Sequence, residues 1–470
     1  MDSDAPAVER LRMYLRELPP DAQAAALLEL ERAALRGEEI PGADALLTEL
    51  RRGIQRSPRK PQRVGNPSRL FFHAIEPFIV DGAPVRRHRG YVARACLNPI
   101  WLWICRDLAP TDARTYTEAA RRALLANDAA AAEKLAHAFQ DRVVKYAEKI
   151  LATADSMDHA HEQLVGYMGP PRVLDDLQEM ICILRVRRAL TQLASQLPAR
   201  IEDLSGGRLA KVMGLLNPLA GARHNVFLYA LILVLSRLDA RWQLVRLAID
   251  AAQSREAARI AKTPYNLAVA LVLADIEDMA DALRTRLKNR ETKEAGDVLR
   301  AAHAAIHAVA SELDMTQDTP LSRRCGVIRA DVSGLLTAEI QAFNAGIKRL
   351  LERPPPRELL DSFALDETDL AEAEEAVALV NSIEGVADEF NVGNAIRQAL
   401  SKLKMRMEET IASLFAAARK VGETLRKFYL AQLEAAARIC AKLFGRRFTL
   451  SLVTKVGAAE HGERDGGAPT

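Results

Sequence analysis

A chain of 470 residues can hold two or three domains and a sizeable core. Aromatic residues make up only 5%, and Ala and Leu dominate, which argues against a β-rich fold because strands draw on aromatic and β-branched side chains. A net charge of +3 excludes a polyelectrolyte, and the longest apolar run, Val226 to Leu235, is shorter than the roughly 20 residues a membrane-spanning helix needs.

The opening residues, Met1 to Pro6, are acidic and carry no apolar stretch, so no secretory leader is expected. Residues 1–54 read as three short helices, broken at Pro19–Pro20 and again between Gly37 and Gly42. The chain then turns basic. Between Arg51 and Arg94 it carries 11 Lys and Arg against Glu76 and Asp81. Residues 55–67 hold three prolines and little apolar content and read as a linker. The cations Arg51, Arg52, Arg56, Arg59, Lys60, Arg63, Arg86, Arg87 and Arg89 are the candidate contacts for an anionic partner, with Phe71, Phe72 and Tyr91 as candidate stacking groups. The competing reading pairs these arginines with the acidic N-terminal helices.

Residues 68–353 form the expected main domain, helix after helix. Starts are expected near Pro99, Thr111 and Asp128, and breaks at Gly169–Pro171, Pro198, Gly206–Gly207 and Pro218. Long helical stretches are expected over Val226–Lys262, Tyr265–Lys288 and Lys293–Leu313. No fixed-period repeat is visible.

Two histidine groups in this stretch have ligand types at helical spacing. Asp155, His159 and Glu162 share a helix face, and His303 and His307 lie one turn apart. Both sets are incomplete, and Ala304 stands where a zinc protease motif needs Glu. Neither a phosphate loop nor a nucleophile motif is present, and no cofactor is expected. The cysteines at 96, 105, 182, 325 and 440 form no CxxC pair and read as free thiols of a reducing compartment, so a cytoplasmic location is expected. Fifty of the 65 basic residues are Arg, spread along the chain, as GC-rich bacterial coding would produce.

Residues 354–365 are a Pro-rich joint, since Pro354-Pro355-Pro356 cannot continue a helix. Beyond it, residues 366–447 read as a helical hairpin, acidic then basic, with Gly393 as its hinge. Apolar residues recur from Leu400 to Leu443 at a mean spacing near 3.6, which predicts one long amphipathic helix. Lys402, Arg406, Lys420, Lys427, Arg438 and Lys442 fall on one arc of that helix. This stripe is read as a solvated face, as the electrostatic partner of the acidic block, or as a contact for nucleic acid or an anionic membrane surface. Residues 448–470 form a polar, Gly-rich tail expected to be mostly disordered.

The chain is therefore expected to be an all-α, irregular multi-helix bundle or array. Its expected role is that of a non-enzymatic interaction or scaffold protein that binds a protein partner or self-associates through helix packing. Nucleic-acid or anionic-membrane binding through residues 51–94, and a helical metalloenzyme, are the alternatives.

Overall fold

Helix follows helix through the computed structural model of the chain, which describes residues 11–55 (apart from 12, 16, 39 and 41), 65–81, 88–156, 158–222, 225–351, 367–451 and 454. The all-α expectation holds: among the described residues the one sheet is a two-residue parallel pair. Residues 56–64 of the expected linker, the Pro-rich joint 354–365 and nearly all of the tail beyond 451 lie outside the described residues. The chain divides into two units, residues 1–199 with 215–236 and residues 200–214 with 237–470.

In the first unit, α1 (Pro20–Arg36) and α2 (Ala43–Gln55) form a hairpin around Leu27, Leu46, Leu47 and Leu50, joined by Leu15. Proline opens α1, where its missing N–H breaks no helical bond. The chain continues through α3 (Pro67–Phe72), a 3-10 turn (His73–Phe78), β1 (Ile79–Val80), β2 (Val92–Ala93) and α4 (Arg94–Trp103). A π turn (Ile104–Leu108) leads into α5 (Pro110–Leu125), α6 (Ala129–Ser156), α7 (Asp158–Met168) and α8 (Pro171–Gln196).

Helix α8 is the axis of this unit. It buries apolar residues on nearly every side, as a helix surrounded by others must. Two of its buried positions are polar, and both are partnered. Asp176 accepts the Ala93 N–H at 2.9 Å, which ties α8 to β2. The Arg187 guanidinium meets Asp141 at 2.5 Å and donates to the carbonyls of Leu184 and His137 at 2.8 and 3.1 Å. Helix α9 (Gly206–Leu216) belongs for the most part to the second unit, and α10 (Val226–Leu235) of the first packs on α8 with all ten of its residues buried. The apolar run singled out in the sequence is thus a core helix. Gly90, at φ +91°, lets the chain before β2 press against α10, where a Cβ would collide with Cδ1 of Ile232.

The second unit contains a 3-10 turn (Arg241–Leu244), α11 (Val245–Ala252), α12 (Ala257–Ile260), α13 (Asn266–Lys288), α14 (Thr292–Glu312), α15 (Pro320–Leu351), α16 (Glu367–Val386), α17 (Gly393–Lys420) and α18 (Glu423–Phe444). Cross-helix bonds fix its registers. Arg324 of α15 grips Glu277 of α13 through both nitrogens, at 2.7 and 2.8 Å. Between α14 and α16, Thr292 reaches Glu375 at 2.9 Å and Arg300 reaches Ser382 at 3.0 Å, and His307 reaches Glu389, in the turn just past α16, at 3.4 Å. These partners advance together along both helices, so α14 and α16 run parallel.

Two expectations about helix length are corrected. The stretch Val226–Lys262 is three helices and a 3-10 turn, and Gln253 at φ +46° closes α11. The single amphipathic helix expected from Leu400 to Leu443 is two, folded on each other and broken at extended residues Val421 and Gly422. The period did not reveal the break. A connector of two residues hardly shifts the phase, and both helices turn the same apolar stripe inward: Leu403, Met407, Ile411 and Leu414 from one, Phe428, Leu433, Ala436 and Ile439 from the other. Gly393 opens α17, and α16 packs most on α14 and equally on α15 and α18 rather than pairing with α17 alone.

Candidate functional site

The first unit carries an open groove of about 510 Å3 bounded by α4, the π turn, α6 and α7. Its placement follows from the aromatic cluster beneath. Phe71, Phe72, Trp101, Tyr116 and Phe139 form one connected cluster, with contacting rings 4.6–6.4 Å apart, centre to centre. The Tyr116 hydroxyl donates to the Pro67 carbonyl at 2.8 Å, and the Gln140 amide donates to that of Phe71 at 2.6 Å. These bonds fix α5 and α6 against α3.

The buried stripe of α6 is Ala132, Ala136, Phe139, Val143 and Ala147. Tyr146 and Ile150 stand beside that stripe and remain 38% and 36% exposed. They form one wall of the groove with Lys149 and Thr153, Leu164 and Tyr167 of α7 form the other, and Trp103, Asp107 and Leu108 complete its lining. Tyr167 is 60% exposed. The Tyr146 hydroxyl is held by Asp112 at 3.2 Å, which orients the ring. Lys145 and Lys149 on α6 are exposed and carry no ion pair among the described residues. No sequence motif announced these residues. A helical wheel of α6 alone carries the signal: an apolar pair at i and i+4 outside the main stripe.

The candidate residues read from the sequence are distributed as follows. Arg51 and Arg52 lie on α2, with side chains outside the described residues, as do Arg56, Arg59, Lys60, Arg63, Arg86 and Arg87 entirely. Arg89 is exposed in the turn before β2. Two further cations of the block are engaged internally, Arg69 with Glu31 at 2.9 Å and Arg94 with Glu76 at 3.2 Å and with Asp81. Phe71 and Phe72 are core residues, 0% and 7% exposed, so their faces stack within the protein and not on a base.

Asp155 and His159 lie on α6 and α7, with side chains outside the described residues, and Glu162 is exposed. His303 is half-buried and His307 exposed on α14, with stacked rings 5.9 Å apart. Their neighbour Glu389 already holds Arg329 at 2.6 Å. Among the described residues no group of three or more His, Cys, Asp or Glu is placed to hold a metal ion. Of the C-terminal stripe, Lys402, Arg406 and Lys420 are exposed, and Lys427 is 4.0 Å from Glu423. Arg438 and Lys442 converge on Glu374 of the acidic block at 2.7 and 2.6 Å. The Lys442 hydrogen bond and the two positive charges hold that carboxyl below its ordinary range, against the opposing effect of burial.

The cysteines are free thiols. Burial and the Asp176 carboxylate push Cys96 up to about 12, and burial does the same to Cys440. Both thiols stay protonated near neutrality and are poor nucleophiles. No family model, curated protein or solved structure matches the chain.

Proposed function

We propose that the chain is a non-enzymatic helical interaction protein whose first unit seats an amphipathic helix of a protein partner in the groove between α6 and α7. The supporting observation is the exposed pair Tyr146 and Ile150, one helical turn apart and facing Leu164 and Tyr167 across 510 Å3 of open space. That arrangement suits helix-in-groove recognition, in which anchors at i, i+3, i+4 and i+7 of the guest fill an apolar channel. Clustered exposed apolar side chains of this kind mark interaction surfaces. Lys149 on the wall favours a guest with an acidic residue beside its apolar stripe, the Asp107 carboxylate of the lining being already paired with Arg106.

The test places a photo-crosslinking residue at Tyr167 in the native host, with one at exposed Val327 as control. The expected result is a discrete cross-linked protein at 167, absent at 327 and lost on Ile150→Asp, with helix content by circular dichroism unchanged. Cross-links only to a second copy of the chain would replace the partner with self-association. Equal, diffuse labelling at both positions would sink the proposal.

A further inference from the structure

A second cavity, a cleft of about 640 Å3, lies wholly within the second unit at the end of the α13–α14 hairpin. It exists because the side chains facing one another there are small: Ala342 and Gly346 on α15, Ala373 and Ala376 on α16. A Cβ built on Gly346 would meet nothing within 4 Å. Leu287, Phe343 and Ile347 supply an apolar lining.

Three observations make this more than a packing gap. First, Glu339 projects into it half-buried, with no hydrogen bond or ion pair among the described residues. Burial pushes its carboxyl above the usual range, as expected where water is thinned and no counter-charge replaces it. Second, Lys288 and Arg349 also line the cleft and are likewise unpaired, while Arg290 is only loosely engaged, 3.9 Å from Glu372. Third, Arg290 has φ +59°. It occupies the left-handed position that closes α13, where its N–H reaches Leu287 and that of Glu291 reaches Arg286, at 3.1 and 2.9 Å. Glycine is the residue such a turn favours. A side chain kept there at a cost in backbone strain is a pointer to use.

The charges narrow the ligand. Of the three carboxylates in the lining, Glu375 accepts the Thr292 hydroxyl and Glu372 lies 3.9 Å from Arg290, which leaves Glu339 to meet a simple anion, while Lys288, Arg290 and Arg349 would meet a simple cation. A molecule with both signs and an apolar body satisfies all of them. Glu339 and Arg349 are ten residues apart on α15, about 15 Å along the helix axis, which an extended chain of about four residues spans. The volume is in the range of sites for molecules of that size.

We propose that this cleft binds a short apolar peptide with free termini, its ammonium on Glu339 and its carboxylate among Lys288, Arg290 and Arg349. The site is independent of the groove in the first unit and can fail or stand without it.

Calorimetric titration of the full chain with tetraleucine tests this, beside N-acetyl-tetraleucine and tetraleucine amide. The expected result is saturable binding of the zwitterion, weakened about tenfold or more by blocking either end, as befits a charge-assisted contact. Glu339→Gln, nearly isosteric, is expected to weaken tetraleucine by a similar factor while leaving the acetylated form unchanged. Gly346→Leu is expected to fill the cleft and abolish binding; should it fail to fold, Glu339→Gln decides. Arg290→Gly is expected to raise the melting temperature, by relaxing the turn, and still weaken binding. A merely structural arginine would do only the first. Absence of saturable binding at millimolar peptide, or equal affinity for blocked and free peptides, would overturn the proposal.

Discussion

The two units use the same material, amphipathic helices, and specify their packing differently. The first concentrates its specificity in a few points: Gly90 against Ile232, Asp176 holding β2, Arg187 closed over Asp141, and a connected cluster of five rings. The second distributes it along helix edges, where Arg324 holds Glu277, Thr292 holds Glu375, Arg300 holds Ser382, and Glu374 holds Arg438 and Lys442. The lesson is that a helical array can be fixed by shape or by register. The first unit should be intolerant at single sites. The second should lose stability in small increments.

Gly90→Ala should break the comparison most sharply. The new methyl group meets the buried Ile232 side chain, and φ +91° is strained for any residue with a Cβ. Overpacking and strain together predict a loss of roughly 3 kcal/mol. Hydrogen exchange read by mass spectrometry should show α8 and α10 losing protection and α13 to α18 keeping theirs. Uniform loss throughout would mean that the two units do not unfold separately. Asp141→Ala comes next. It leaves the Arg187 guanidinium, 5% exposed, with only two carbonyl acceptors. An uncompensated buried cation predicts a loss of about 2 kcal/mol, moderated by those carbonyls. The lower midpoint of urea unfolding should be recovered in part by Arg187→Met with Asp141→Ala, which removes the charge as well. No recovery would mean that the pair acts through packing alone.

Much of this division was legible beforehand and some was not. The helices, the buried run Val226–Leu235 and the opposition of acidic and basic blocks follow from residue type and period. The break at Val421–Gly422 was hidden because two facing helices bury one continuous stripe. The parallel register of α14 and α16 was equally hidden, since Thr292, Arg300 and His307 look like any polar face until their partners are known. The groove stayed invisible for a third reason. Tyr146 and Ile150 belong to a helix whose main stripe is elsewhere, and periodicity finds the dominant face, not a minor one. Within the basic block, composition misplaced two rings: Phe71 and Phe72 sit among arginines in sequence yet lie in the core in space.

The smallest predicted effect concerns register, at Glu374. Its carboxyl titrates below the ordinary value because the Lys442 hydrogen bond and the charges of Lys442 and Arg438 favour the ionised form. A carboxyl whose folded value is depressed stabilises the folded state above its unfolded value, near 4.3, and that contribution fades as pH falls through the lower folded value. At neutral pH the pair is therefore fully present. Glu374→Gln should remove it at a cost of at most about 1 kcal/mol, since both cations remain half in water. The difference between wild type and variant should begin to narrow below about pH 4.5 and go on narrowing as the pH falls through the lower folded value, where acid discharges the wild-type carboxyl. It should also shrink in molar salt, where the Debye length falls to about 3 Å. Urea unfolding of both proteins at pH 7 and pH 3 reads the difference directly. A gap that persisted unchanged at pH 3 would show that Glu374 contributes by packing, and that α16 and α18 are aligned by their apolar stripes rather than by charge.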